Sequence, residues 1–189
     1  MRIIAGEFKG LKLTPVGKGD PRRRLRPTSA RMKTRIFDLI THGPCGNRVA
    51  GARVLDLFAG TGALGLEAIS RGASFACFVD NGNVACELIQ RNIGLARVGK
   101  KAILLRKDAA RLGNWGGVPF DLVIMDPPYG TDLPERVLSQ AARSGWLGPD
   151  CFVVAEDSRF LSDPDFLEVV DRRKSGDTCI SCLVVKPAG

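Results

Sequence analysis

A tetrad of chemically useful residues, Asp126-Pro127-Pro128-Tyr129, follows the apolar run FDLVIM. Proline fixes φ and removes the backbone N–H, so the tetrad presents two acceptors, the Asp126 carboxylate and the Pro127 carbonyl. The exocyclic amino group of a nucleobase donates two hydrogens, and Tyr129 can stack on the base. The pattern predicts alkylation of a base amine, a reaction governed by positioning. A rigid proline turn is the alternative, and the sequence leaves open whether Asp126 removes the proton or only holds the amine.

A glycine-rich segment, Gly60-Thr61-Gly62-Ala63-Leu64-Gly65, has the spacing GxGxxG between an apolar strand pattern and a helical pattern. This arrangement is typical of a nucleotide-binding turn. Asp80 lies 20 residues beyond Gly60, at the end of the next strand pattern. From there it is predicted to accept hydrogen bonds from ribose hydroxyls.

The nature of the nucleotide depends on Asp56, four residues before Gly60. A carboxylate aimed at this turn repels a pyrophosphate and attracts an ammonium group. S-adenosylmethionine has an adenosine, an amino-acid tail and no phosphate, and glycines allow close approach of the backbone. The sequence therefore predicts S-adenosylmethionine as the cofactor. The alternatives are a turn or capping role for Asp56 and an NAD-type domain.

Other residues around these turns complete the predicted cofactor site. Phe58 is expected to be buried or to face the cofactor. Asp108 and Ala109, after the third strand pattern, are predicted to meet the adenine amino group or to cap a helix. The full predicted set is Asp56, Phe58, Ala59, Gly60, Thr61, Gly62, Leu64, Gly65, Asp80, Asp108 and Ala109.

The elements that position these residues alternate from Arg53 onward. Strand patterns (RVLDL, FACFVD, KAILLRKD, FDLVIMD, CFVVAED) alternate with helical patterns, and the last two strands, FLEVVDRRK and CISCLVVK, have no helix between them. Such alternation predicts an α/β fold, a mostly parallel sheet with helices on both faces. The last two strands are expected to form an antiparallel pair at the sheet edge. Loops 56–65, 80–83, 108–109 and 126–130 then lie together at the ligand-binding edge.

The positive charge is concentrated in the first quarter of the chain. Residues 1–50 carry a net charge of +9, and residues 51–189 carry −1. We predict a basic N-terminal extension over 1–50 and a catalytic domain over 51–189. The extension comprises a β-hairpin over 1–16, a basic loop over 17–27 and a helix, ARMKTRIFDLITH. A basic extension on a neutral body is typical of a polyanion-binding protein, a solvated tail being the alternative. The predicted RNA contacts are Arg22, Arg23, Arg24, Arg26, Arg31 and Lys33.

The sequence argues against a membrane protein, a secreted protein and a metalloenzyme. No apolar run reaches the roughly 20 residues of a membrane span, and the first ten residues lack a signal-peptide pattern, so a cytoplasmic location is expected. His42 is the one histidine, and Cys179 and Cys182 fall on opposite faces of a strand pattern. No metal site is therefore predicted.

The segments VLDLFAGTGALGLEA, FVD, KDA and IMDPPYG, in this order, resemble class I S-adenosylmethionine methyltransferases that act on exocyclic amines. With RIIAGEFKGLKL and LRPTSARMKTRIFDLI, the chain resembles the RsmD-type family of bacterial 16S rRNA guanine-N2 methyltransferases. This resemblance implies a Rossmann-like seven-stranded sheet, a monomer, and 16S rRNA in an assembling small subunit as substrate. One position departs from the family pattern. Gly82 stands where an acidic residue is expected, so the loop beside the cofactor is expected to be held less tightly.

Three other functions remain open from the sequence. An N6-adenine or N4-cytosine methyltransferase of RNA or DNA would use the same Asp126–Tyr129 chemistry. A non-catalytic ribosome-assembly protein would bind RNA without needing Asp56, Gly60, Gly62 or Asp126. An NAD-dependent oxidoreductase shares the glycine spacing but is disfavoured by Asp56.

Overall fold

The computed structural model describes residues 1–16, 29–162 and 164–187. Four helices and seven strands form its framework. The helices are α1 (Ala30–His42), α2 (Ala63–Ser70), α3 (Asn83–Ala96) and α4 (Leu133–Arg143). The strands are β1 (Arg53–Leu57), β2 (Phe75–Asp80), β3 (Ala102–Arg106), β4 (Phe120–Met125), β5 (Leu147–Asp157), β6 (Leu167–Ser175) and β7 (Thr178–Val185).

The seven strands form one sheet in the order β3-β2-β1-β4-β5-β7-β6. Strands β1 to β5 are parallel to one another, whereas β7 is antiparallel to both β5 and β6. The predicted fold class is confirmed, and so is the terminal antiparallel pair. Because β7 inserts between β5 and β6, the antiparallel strand lies one place in from the edge. The order reverses between β1 and β4, where ligands of such sheets bind.

Side chains that alternate along the strands form two separate cores. Val54, Phe78 and Ile124 pack with residues of α1, α2 and α3 on one face. Leu55 and Met125 belong to the other face, together with residues of α4. Burial of each such side chain contributes roughly 1.5–3 kcal/mol. The same alternation continues to the polar residues at the strand ends. Side chains an even number of residues from Ile124 along β4 therefore lie on the face that packs against α1–α3.

Residues 1–16 fold back on themselves as a short antiparallel hairpin whose arms are not long enough to form regular strands. A single antiparallel bridge joins Arg2 and Lys12. The other edge of the segment binds α2, where Glu7 N donates to Ser70 O at 2.7 Å and Phe8 N to Ser70 Oγ at 2.9 Å. Gly6 makes this approach possible, since a Cβ there would lie 1.8 Å from Ser70 O. Between the two arms, Ile3 N donates to Leu11 O at 3.0 Å and Leu13 N to Met1 O at 3.1 Å, so the pairing extends over one bridge only.

A buried carboxylate, Glu67 of α2, anchors this segment. Its oxygens accept from Ile4 N at 2.8 Å and Ala5 N at 2.9 Å. Arg71 Nε lies 2.9 Å away and Lys33 Nζ 3.7 Å away. These four donors neutralise and satisfy a carboxylate that is 0% exposed.

The prediction that Lys33 contacts RNA is wrong. Its side chain is 1% exposed, its ammonium is paired with Glu67, and it donates a hydrogen bond to Arg2 O. Burial lowers the pKa of Lys33, and Glu67 opposes that shift. Lys33 therefore fixes the N-terminal segment to α1 and α2, out of reach of a polyanion.

Helix α1 begins and ends as predicted, but its buried face is rotated. Ser29 caps it by accepting from Met32 N at 3.1 Å. The pattern predicts an apolar face of Met32, Ile36, Leu39 and Ile40, whereas the structure buries Lys33, Ile36, Phe37 and Ile40. The ion pair between Lys33 and Glu67 requires this rotation, and Met32 and Leu39 are left half-buried.

No helix within the described residues is long and apolar enough to cross a membrane. Within the same residues, no group of three or more His, Cys, Asp or Glu side chains is arranged to hold a metal ion.

Candidate active site

Asp56, at the end of β1, holds the start of α2. Its Oδ2 accepts from Gly65 N at 2.8 Å, and the residue is only 1% exposed. Burial raises the pKa of Asp56 well above its usual range, although the Gly65 hydrogen bond acts in the opposite direction. The structure thus shows the turn-holding role that the sequence left as the alternative. The carboxylate still lies beneath the glycine turn, where it disfavours an anionic group.

Asp80, at the end of β2, organises the same turn from the neighbouring strand. Its Oδ2 accepts from Gly60 N at 2.9 Å and its Oδ1 from Gly82 N at 2.7 Å. Each carboxylate oxygen retains a further lone pair, and Asp80 is half-buried rather than buried. It can therefore still accept from a ribose hydroxyl. Gly82, where the family pattern expects an acid, contributes its backbone amide instead.

The turn between β1 and α2 keeps most of its side chains inside the protein. Ala59, Thr61 and Leu64 are buried, and Thr61 Oγ1 lies 3.6 Å from Met1 Sδ. Phe58 is half-buried at a φ of 58°. Backbone atoms, rather than the side chains of Ala59, Thr61 and Leu64, are therefore the groups that this turn can offer to a ligand.

The turn is also tied to the N-terminal segment through Asn92 of α3. Asn92 Nδ2 donates to Thr61 O at 2.8 Å, while its Oδ1 accepts from Thr14 N at 2.8 Å. Asn92 is completely buried, so this bridge is shielded from competing water. The basic extension and the predicted cofactor turn consequently share a direct structural connection.

Asp108, after β3, caps a short 3-10 turn over Ala109–Arg111. Its side chain accepts from Ala110 N at 2.9 Å, and Ala109 is buried. The structure shows the capping alternative for Asp108, and contact of this turn with adenine stays a prediction.

Asp126 has a neighbour that the sequence pattern did not assign to the site, Glu156 of β5. Met125 pairs with Ala155 across β4 and β5, so the next residues, Asp126 and Glu156, lie side by side on the same sheet face. The Tyr129 hydroxyl donates to Glu156 Oε1 at 2.9 Å, and Tyr129 is 49% exposed. The tetrad is therefore backed by carboxylates of the neighbouring strand and is not an isolated turn.

Three carboxyl groups crowd this strand end. Burial, Glu156 and Asp157 together raise the pKa of Asp126 to about 7. Burial also raises the pKa of Glu156, which the hydrogen bond from Tyr129 opposes. Asp157 Oδ1 accepts from Gly130 N at 3.2 Å and from Ser158 N at 2.5 Å, which fixes the loop after Tyr129. Among the described residues, the buried Glu156 Oε2 and Asp157 Oδ2 have no hydrogen-bond partner.

The residues of the glycine turn fit S-adenosylmethionine better than a dinucleotide. The amides of Gly60 and Gly65, which a pyrophosphate would need at a helix start, already donate to Asp80 and Asp56. What remains nearby is carboxylate acceptor capacity on Asp80. Acceptors of this kind suit a cationic ligand with hydroxyl groups.

Comparison with known proteins identifies the family. A family model described as "Conserved hypothetical protein 95" matches residues 1–184. The "Ribosomal RNA small subunit methyltransferase D" of Escherichia coli (strain K12) is 31% identical over 157 residues, which cover 82% of this chain and 74% of that protein. The chain belongs to the RsmD-type methyltransferase family.

Two further relatives extend the match over the whole length. The "Putative rRNA methyltransferase YlbH" of Bacillus subtilis (strain 168) is 34% identical over 193 residues, which cover all of both chains. A solved structure titled "Putative methyltransferase yhhF from Escherichia coli" superimposes with a TM-score of 0.83 at 26% identity, and covers 100% of this chain and 99% of that one.

The predicted site residues of this RsmD-type chain fall into two groups at one sheet edge. The structure brings Asp56, Asp80 and the glycine turn together at β1 and β2, and Asp126 and Tyr129 at β4. The predicted RNA contacts Arg22, Arg23, Arg24 and Arg26 lie outside the described residues, and Arg31 is exposed on the first turn of α1. The one signal of Glu156 in the sequence is that two adjacent acids end an apolar strand pattern, CFVVAED, which marks the strand end but not which acid lies beside Asp126.

Proposed function

We propose that the protein transfers a methyl group from S-adenosylmethionine to the exocyclic N2 amine of a guanine in small-subunit rRNA. The observation that carries this proposal is the pairing of Asp126 with Glu156 behind Tyr129, next to the glycine turn. Membership of the RsmD-type family supports methyl transfer. The names of the relatives from E. coli and B. subtilis support rRNA as the substrate.

The residues of the site have distinct roles in this reaction. S-adenosylmethionine supplies a methyl group activated by a sulfonium. The Asp126 carboxylate and the Pro127 carbonyl accept the two amino hydrogens, which favours localisation of the nitrogen lone pair and points it at the methyl group. Tyr129 stacks on the base. With its pKa raised to about 7, Asp126 is also basic enough to take the proton from the methylated amine.

RNA contact is assigned to the basic N-terminal extension, residues 1–50. Its exposed Arg31 and the run at Arg22, Arg23, Arg24 and Arg26 supply the positive charge. A cavity of about 310 Å³ between α1 and the β6–β7 hairpin adds further basic side chains. It is lined by Arg35, Arg173, Lys174 and Thr178 among others, and Thr178 is close enough to Tyr129 to lower the pKa of its hydroxyl against the raising effect of burial. A basic path thus leads to the ring proposed to stack on the base, and an rRNA substrate fits the predicted cytoplasmic location.

The reaction is tested by mass mapping of small-subunit rRNA treated with the protein and S-adenosylmethionine. We expect one added methyl group on a guanine, with Asp126→Ala lowering kcat by about 100- to 1,000-fold and leaving RNA affinity nearly unchanged. Methylation of an adenine or a cytosine would contradict the guanine assignment and favour the alternative amino methyltransferases. RNA binding without methyl transfer would favour a non-catalytic assembly protein.

The assignment of the extension is tested separately with the triple variant Arg22→Ala, Arg23→Ala, Arg24→Ala. For every phosphate that the variant no longer neutralises, the slope of log K against log salt should flatten by roughly 0.7–0.9. Affinity should fall, while the rate at saturating RNA stays near normal, because the chemistry is assigned to Asp126, Pro127 and Tyr129 and not to these arginines. An unchanged affinity and salt slope would mean that the arginines only solvate the chain.

A further inference from the structure

Glu156 is a buried carboxylate with unused hydrogen-bonding capacity. It is 6% exposed, Oε1 accepts from the Tyr129 hydroxyl, and Oε2 has no partner within the described residues. A buried acceptor without a donor destabilises the folded protein. Native structures retain such groups where a ligand supplies the missing donor.

The position of Glu156 relative to Asp126 indicates which ligand group supplies the missing donor. It lies beside Asp126 on the adjacent strand, on the same sheet face, and neighbouring strands are roughly 4.8 Å apart. Asp157 is the next residue along β5, so its side chain points to the opposite face, where it accepts from Gly130 N and Ser158 N. Of Glu156 and Asp157, Glu156 is therefore the acid that lies beside Asp126, the carboxylate proposed to hold the amine.

The Watson–Crick edges of the bases differ at the atom next to the amino group. In guanine, the ring nitrogen beside the N2 amine carries a hydrogen. In adenine and cytosine, the corresponding ring nitrogen carries a lone pair. A carboxylate oxygen beside Asp126 that acts as an acceptor bonds the former and is repelled by the latter, and enzymes that act on extruded bases read this edge by hydrogen bonding.

We propose that Glu156 selects guanine by accepting the N1–H of the base whose N2 amine is held by Asp126. The inference rests on the proposed function and assigns its base specificity to one side chain. Tyr129, half-exposed and bonded to Oε1, lies beside the unpartnered Oε2, which is the oxygen assigned to the N1–H. Its ring remains available to stack on the base.

The test compares guanine with 2-aminopurine at the position identified by mass mapping, introduced by ligation of synthetic RNA. 2-Aminopurine keeps the amine at the same carbon but has a lone pair at N1. We expect the wild-type protein to prefer guanine by about 100-fold or more in kcat/KM, since a site built around a donor rejects an analogue that lacks it. In Glu156→Gln the amide can donate to N1, so the preference should shrink by at least about 10-fold.

A matched control is Glu168→Gln, the same change on an exposed residue of β6, which should keep the wild-type preference. Measurements on the wild-type protein alone can overturn the proposal. Equal kcat/KM for guanine and 2-aminopurine would do so. So would a folded Glu156→Gln variant with an unchanged preference. If Glu156→Gln does not fold, the wild-type ratio and the equilibrium affinities of wild type for the two RNAs decide. Absence of guanine methylation by wild type would instead contradict the proposed function itself.

Discussion

Two pairs of neighbouring strands carry carboxylates at their ends, and the pairs differ in how the carboxylate oxygens are hydrogen-bonded. At β1 and β2, Asp56 and Asp80 accept from the amides of Gly65, Gly60 and Gly82. At β4 and β5, Asp126 and Glu156 lie side by side, and Glu156 Oε2 lacks a partner among the described residues. Both pairs of strand ends lie at the carboxyl edge of the parallel part of the sheet.

This difference separates a pre-built half of the site from one that awaits a ligand. The cofactor half is held by backbone donors from its own loops, so its shape is set by local chain geometry. The half proposed to bind the substrate keeps acids close together, and burial, with added repulsion from Glu156 and Asp157, raises the pKa of Asp126. In the proposed reaction, an incoming base with neighbouring N–H donors would relieve that repulsion, and the energetic cost at β4 and β5 would be recovered in binding.

The largest expected effect comes from breaking the pre-built half at Gly65. A Cβ there would lie 2.4 Å from Phe78 Cε1 and 3.0 Å from Asp56 Oδ2. Gly65→Ala should therefore lower the free energy of unfolding by about 2–4 kcal/mol through overpacking, measured by denaturant unfolding. The matched control is Gly94→Ala in α3, where no described atom lies within 4 Å of the added Cβ. There alanine should stabilise the helix by up to about 1 kcal/mol. Equal effects in both variants would contradict the tight fit at Gly65.

The sequence predicted the framework well because hydrophobic periodicity decides it. The order of strands and helices from Arg53 onward, the antiparallel end and the glycine turn all follow from local pattern. The positions of the unusual charges do not follow from it. Lys33 was assigned to RNA because basic residues are usually exposed, whereas only tertiary structure reveals its partner Glu67, 34 residues away.

Glu156 shows the same limit at the site itself. Its role depends on the register between β4 and β5, which pairs Met125 with Ala155. That register is a long-range property, and a bulge between Phe120 and Leu122 shifts it. No local pattern in CFVVAED reports it. Asp56 likewise reads as a ligand-facing acid in sequence, but its hydrogen bond to Gly65 is visible only once the turn is folded.

A smaller effect is expected from relieving the crowded half with Asp126→Asn. The pKa of Asp126 is about 7 in the folded protein against an ordinary value of 3.8. The folded state therefore binds more protons than the unfolded state between these values, and stability at this residue falls as pH rises from about 4 to 7. Asparagine does not ionise, so the variant should be more stable than wild type by about 1–3 kcal/mol at pH 8. That advantage should disappear near pH 4 and below, where the wild-type carboxyl is protonated in the folded state.

The measurement is urea unfolding of both proteins at intervals between pH 4 and pH 8. The control is Glu87→Gln, the same acid-to-amide change on the exposed side of α3, which should show no comparable gain at pH 8. Because Glu156 and Asp157 cause part of the shift, adding Glu156→Gln to Asp126→Asn should yield less than the sum of the single gains. Strict additivity, or a variant less stable than wild type at pH 8, would mean that the carboxyl groups do not repel one another. The contrast between the two halves of the site would then lose its electrostatic basis.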